Sequence, residues 1–159
     1  MIYEITGDLL NAENGIICHQ TNYHGAMGGG VARAIAEKIL SKDQYAAYVT
    51  YCKERGRTAL GTVQFLGEAP GLIVANVFSQ DELKPQIEGN FDITDYSAMT
   101  IGLEHVRDMA ERFDLSVHIP SGMGCGIAGG DWNRVREIID DVFADTSIEV
   151  YIVKREAAK

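Results

Sequence analysis

Two glycine-rich stretches hold the residues whose types and spacing could do chemistry. In His19-Gln-Thr-Asn-Tyr-His-Gly-Ala-Met-Gly-Gly-Gly-Val31, three consecutive glycines separate an apolar, strand-like run from a helical pattern. Gly28, Gly29 and Gly30 carry no Cβ, so the backbone can take φ > 0 and bring its N–H groups close to a ligand, just ahead of a positive helix end. That arrangement is an anion cradle suited to phosphate, although for glycines alone a tightly packed turn is an equal alternative. Near the other end of the chain, Pro120-Ser-Gly-Met-Gly-Cys-Gly-Ile-Ala-Gly-Gly-Asp-Trp132 repeats the order of strand, glycine loop and helix. Two such loops point to a ligand more strongly than one.

Four side chains near strand ends and loops could add to this. His24, between Asn22 and Gly28, can serve as a general base or orient a water, or be a surface histidine. Cys125 sits among glycines ahead of a helix, a position that lowers a thiol pKa, while small size explains it equally well. Asp8 closes the first strand pattern and fits a helix N-cap or an Asx turn over Leu9 and Leu10. Asp131 fits the N-cap of a helix starting at Trp132.

The elements that must position these residues are legible from periodicity. Met1 to Thr6 suits an edge strand, and Gly15 to His19 is a short apolar run typical of a buried central strand that feeds the first loop. Ligands in open α/β sheets bind outside the C-terminal strand ends, where this loop begins. Val31, Ile35 and Ile39 predict an amphipathic helix. Tyr45, Tyr48, Val49 and Cys52 predict a second one ending near Gly56, with the tyrosines in the core. Strands follow at Thr62 to Leu66 and Leu72 to Phe78. The polar run Ser79 to Asp95, with Pro85 and Gly89, has no period and reads as a long functional loop or lid. Tyr96, Met99, Leu103, Val106, Ala110 and Phe113 mark the strongest helix, then come a strand at Leu115 to Ile119, the helix after Asp131, and a strand at Ile148 to Val153. Lys154 to Lys159 is a charged, frayed tail.

Composition limits the function classes. The chain has 159 residues and 46% hydrophobic content, which fits one ordinary domain. Its 14 basic and 23 acidic residues give a formal net charge of −9, which opposes non-specific binding to nucleic acid or an acidic membrane. Cys18, Cys52 and Cys125 are odd in number and lack metal-ligand spacing, so reduced thiols of a cytoplasmic protein are expected, without zinc. No signal peptide or membrane span is apparent.

With both loops in view, the chain resembles a macro domain over its whole length. The resemblance rests on Gly7-Asp8-Leu9-Leu10, the loop Asn22 to Val31, the stretch Ala75-Asn-Val-Phe-Ser-Gln80, and Ser121-Gly-Met-Gly-Cys-Gly-Ile127 followed by Trp132. Gly124-Cys125-Gly126 and the Trp132 helix place it nearest the branch that contains terminal ADP-ribose protein glycohydrolase and phage or bacterial relatives. The resemblance implies an α/β fold, a three-layer α/β/α sandwich with a mixed six-stranded sheet, forming a single domain over residues 1–159. It also implies a cleft for ADP-ribose or an ADP-ribosylated macromolecule, with no cofactor and no metal. Asp8 would accept a hydrogen bond from the adenine amino group, with the Leu9 backbone beside it, and Tyr151 would offer adenine an aromatic face. Gly28, Gly29, Gly30 and Val31, with Thr21 and Met27, would form one wall. Ser121, Gly122, Met123, Gly124, Cys125, Gly126 and Ile127 would form the other, and backbone N–H groups of both walls would clamp the diphosphate and distal ribose. Asn22 would lie beside that ribose.

Catalysis is where the sequence departs from the family. One hydrolytic branch carries an aspartate after the valine of the first loop, and Ala32 stands there. In the glycohydrolase branch a lysine follows the central strand and an aspartate lies in the second loop; Gln80, with Lys84 nearby, and Ala128 occupy those positions. Asn22 and His24 remain as catalytic candidates, so the expectation is an ADP-ribose reader or a weak ADP-ribosyl hydrolase. An ADP-ribose 1″-phosphate phosphatase, a nucleotide- or RNA-binding module and a scaffold stay open as alternatives.

Overall fold

The computed structural model describes residues 1–86, 88 and 91–156. Six strands, β1 (Ile2–Gly7), β2 (Gly15–Asn22), β3 (Val63–Leu66), β4 (Leu72–Gln80), β5 (Val117–Pro120) and β6 (Val150–Arg155), form one sheet in the order β1-β6-β5-β2-β4-β3. All neighbours are parallel except the edge strand β3, which runs antiparallel to β4. The sheet is mixed, as expected, and β1 is an edge. Four helices, α1 (Gly30–Lys38), α2 (Lys42–Arg55), α3 (Tyr96–Phe113) and α4 (Trp132–Val142), make the outer layers.

Parallel strands buried on both faces need helices on both sides. On one face, Met99, Leu103 and Val106 of α3 and Val135 and Ile139 of α4 pack against Ile16, Cys18, Ala75, Val117 and Ile119. On the other, Ile35 of α1 meets Ile17, Val74 and Val153, while Tyr48 and Cys52 of α2 meet Phe78. The chain leaves β2 through α1 and α2 toward β4, and leaves β5 through α4 toward β6. These two adjacent strands therefore send their loops in opposite directions, which opens a crevice at their C-terminal ends.

Local signals start and stop the helices. Ser41 and Gln44 form a reciprocal capping box on α2, and Asp95 and Asp131 cap α3 and α4 by accepting from Ala98 N and Asn133 N. Asp8 caps the short 3-10 turn Leu9–Asn11 by accepting from Leu10 N at 2.9 Å.

The run from Ser79 to Asp95 is more ordered than its sequence implies. β4 extends to Gln80, which bridges to Thr94; Asp81 N donates to the Ile93 carbonyl, and Ile93 N to the Ala128 carbonyl. The segment 91–95 is thus stitched between β4 and the second glycine loop. Gly89, part of the predicted lid, and residues 157–159 of the predicted tail lie outside the described residues. Among the described residues, no helix is long and apolar enough to cross a membrane.

Candidate functional site

A cavity of about 400 Å³ lies where the crevice was placed, lined by His19 to Asn22 from β2, Ala26 to Ala32, Tyr48, Gln80, and Pro120 to Gly124 with Gly126 to Ala128. The two glycine loops meet across it. A Cβ on Gly29 would stand 3.3 Å from Ile127 Cδ1, while Ile127 itself is exposed. Among the described residues the lining contains no Asp, Glu, Lys or Arg.

Backbone amides of both loops are donors in this uncharged cavity. At the start of α1 the first N–H groups have no carbonyl one turn back, and the helix dipole adds positive potential there. Of the three glycines, Gly30, at φ +59, is the one held in the left-handed region, while Gly29 is extended at φ −154. In the second loop, successive turns tie the amides of Met123, Cys125, Gly129 and Gly130 to the carbonyls of Pro120, Gly122, Gly126 and Gly124. Among the described residues the amides of Gly122, Gly124, Gly126 and Ile127 are not used within the loop, and these residues line the cavity. Backbone N–H groups left unused at a cavity wall suit an anion without any cationic side chain.

Side chains from other elements fix both loops. Tyr48 donates to the Asn22 carbonyl, and Met27 N donates to the Tyr45 hydroxyl at 3.4 Å. Thr94 donates to the Gly124 carbonyl at 2.7 Å and accepts from Gln20 Nε2 at 3.3 Å, with Gln20 Oε1 accepting from Ser79. Gly124, at φ +76, is required here twice over, because a Cβ would lie 2.9 Å from Gln20 Oε1 and 3.1 Å from Thr94 Oγ1. Thr94 had no local signal in the sequence, since its role depends on a contact thirty residues away.

The structure brings Thr21, Asn22, Met27 to Val31, Ser121 to Gly124, Gly126 and Ile127 to the cavity, and leaves several candidates elsewhere. Asn22 lines the wall, but its amide is used inside its own loop: Nδ2 donates to the Ala26 carbonyl, and Oδ1 accepts from His24 N and Tyr48. His24 is not in the lining; its Nε2 lies 3.2 Å from Glu82 Oε2, and its ring rests near Tyr23. Lys84 is likewise turned away, donating from Nζ to the Thr94 carbonyl. Cys125 points its thiol at the Met123 carbonyl, and burial, helped by the Asp131 and Asp92 carboxylates, pushes its pKa up to about 11. The expected lowering of that thiol is corrected, because desolvation outweighs the nearby helix end.

Asp8 and Leu9 stand at the end of β1, outside the cavity lining. Tyr151 is also outside that lining. Strand register sets it level with Tyr3 and His118, with which it stacks at 5.4 and 5.2 Å, and its hydroxyl donates to Glu149. It is the second residue of β6, roughly 13 Å of strand short of the C-terminal edge.

His19, which the sequence did not single out as chemical, and Thr21, expected in the first wall, complete the floor. His19 and Thr21 are 1% and 2% exposed, and among the described residues His19 Nδ1 and Thr21 Oγ1 have no hydrogen-bond partner. His19 Nε2 is 2.6 Å from Asn76 Oδ1. Burial, only partly offset by that bond, lowers the imidazole pKa to about 4, so the ring is neutral at pH 7. Buried polar atoms are nearly always paired, so these two mark a place prepared for something else.

The sheet order, the crevice and the paired amide loops define a macrodomain fold, and similarity to known proteins agrees. No protein-family model matches the sequence. The chain is similar to a macrodomain protein from Streptomyces coelicolor, with 29% identity and a TM-score of 0.74 over 99% of this chain and 100% of that one. It is similar in fold to Thermosipho africanus DarTG in complex with ADP-ribose, at 16% identity and a TM-score of 0.71 over 96% of this chain and 41% of that one. In sequence it is 22% identical over 170 residues to an ADP-ribose 1″-phosphate phosphatase of Candida albicans, covering 96% of this chain and all of that protein.

Proposed function

We propose that this protein binds ADP-ribose, free or attached to a macromolecule, in the cavity between the two glycine loops. The observation that carries the reading is the pairing of unused amides on both walls with an uncharged lining. Such a site favours a diphosphate through many short dipolar contacts, which reconciles anion binding with a net charge of −9. The complex of ADP-ribose with a protein of the same fold supports it.

Hydrolysis is slow or absent on this reading. Ala32, Gln80 and Ala128 all line the cavity, so the positions that would carry an acid or an attacking amine hold neutral side chains. What remains for turnover is positioning and stabilisation of developing charge by amides. Action on ADP-ribose 1″-phosphate is a second reading, favoured by the fungal relative. Competition against a bound fluorescent probe tests the proposal: ADP-ribose should displace it far better than ADP or AMP, and equal potency of all three would favour a general nucleotide site.

A further inference from the structure

The geometry assigns His19 a ligand contact of defined polarity: its Nδ1 is held as a hydrogen-bond acceptor on the cavity floor, where with Thr21 it takes a sugar hydroxyl and turns away a phosphate group. This rests on the ADP-ribose reading and names the part of the ligand that reaches the floor.

The polarity is forced from outside the site. Gln64, Asn76 and His19 stand in register on β3, β4 and β2. At the far end, Gln64 Nε2 donates to the backbone carbonyl of Ala47 at 3.2 Å, and a carbonyl can only accept. Gln64 must therefore turn Oε1 inward, where it accepts from Asn76 Nδ2 at 3.1 Å. Asn76 in turn presents Oδ1 to His19 Nε2, which has to carry the proton. The tautomer that results leaves Nδ1 with its lone pair free.

That lone pair and Thr21 Oγ1 are the two buried side-chain atoms without partners among the described residues, and both residues belong to the cavity lining. They lie two residues apart on one strand, hence on the same face. A hydroxyl meets both needs, since it can donate to Nδ1 and accept from the Thr21 hydroxyl. A phosphate group has only acceptor oxygens when ionised, so it would set negative charge against the lone pair. The burial that keeps the ring neutral removes the imidazolium that could reverse this preference. The floor thus selects the sugar end of the ligand and opposes a phosphomonoester there, which bears directly on the phosphatase reading.

Nitrogen NMR of protein labelled with ¹⁵N-histidine tests the assignment, with binding followed by calorimetry on the same sample. The expected result is a His19 Nδ1 that is unprotonated at pH 7 and shifts as it accepts a hydrogen bond when ADP-ribose is added, but stays in place when ADP is added. A protonated Nδ1 in the free protein would overturn the relay. Heat of binding without an Nδ1 shift would overturn the hydroxyl contact alone, and no heat at all would overturn the ADP-ribose reading together with it. Variants at Gln64, outside the cavity, add a control. Gln64→Glu loses the bond to the Ala47 carbonyl but keeps an acceptor facing Asn76, so it should lower stability and retain the preference for ADP-ribose over ADP, whereas Gln64→Leu releases Asn76 and should weaken ADP-ribose binding about fivefold with ADP unaffected. Equal effects of both variants on both ligands would reduce Gln64 to a packing role and contradict the relay.

Discussion

The hydroxyl of Tyr48 donates to the backbone carbonyl of Asn22 at 2.9 Å and to its side-chain oxygen at 3.1 Å, so α2 holds the point where β2 becomes the first glycine loop. The ring itself is buried between Tyr45 and Phe78, at centroid distances of 5.9 and 6.1 Å. Tyr48→Phe keeps that packing and removes one donor from two acceptors. It should destabilise the protein by about 1–2 kcal/mol in urea unfolding. ADP-ribose affinity should fall several-fold as the loop loosens. Unchanged affinity would mean that Asn22 keeps the loop in place without its tyrosine.

His24→Ala should leave ADP-ribose binding, and any slow hydrolysis, unaltered. The imidazole faces Glu82 instead of the cavity, and an exposed pair of this kind contributes about 0–1 kcal/mol to stability. A rate loss of tenfold or more would return His24 to the role that its place in the sequence suggests.

Thr94 is expected to act through the second loop. Thr94→Val removes the hydroxyl that fixes the Gly124 carbonyl and leaves that carbonyl and Gln20 Nε2 without their partner. Stability should drop by about 1–3 kcal/mol, with weaker ligand binding, while Thr94→Ser should recover most of both. Equal behaviour of the two variants, judged by thermal unfolding and calorimetry, would show that shape matters there and the hydroxyl does not.

Acid should destabilise the fold in two successive windows. The folded pKa of His19 is lowered to about 4, against 6.5 for a free histidine, so the unfolded chain takes up that proton first and stability declines as pH falls from about 6.5 to 4. For Asp81, burial pushes the pKa up, but hydrogen bonds from Arg57 and Tyr23 outweigh it and hold the carboxyl below its usual 3.8. Its contribution is complete above that value and is lost as pH falls through the lower folded one. In urea titrations at several pH values, the stability gap between wild type and Asp81→Asn should therefore be widest near neutrality and narrow below about pH 4. A gap that widens with acid would contradict this sign.

Much of the fold was legible because it is written in local periodicity. The stripe from Tyr96 to Phe113 became α3, the apolar runs became β2 and β4, and both glycine loops stand at strand ends on the cavity. The capping box of Ser41 and Gln44 was equally local, although the helix pattern alone was read there. What escaped depends on register or distant contact. The neighbours of Tyr151 depend on register, since pairing with β1 and β5 sets it beside Tyr3 and His118. His19 looked like the end of a core strand, and its free nitrogen becomes visible only when β3 and β4 bring Gln64 and Asn76 into line. Thr94 sat in a polar stretch without period, and only the approach of the second loop gives it a partner.

Titration calorimetry with ADP-ribose on the folded wild-type protein tests the central claim most directly. Saturable binding at one site is expected, with AMP giving little or no heat, because AMP lacks the diphosphate and distal sugar that the proposal assigns to the unused amides and the floor. An absence of heat with millimolar ADP-ribose, from protein shown to be folded by its cooperative unfolding, would contradict the account.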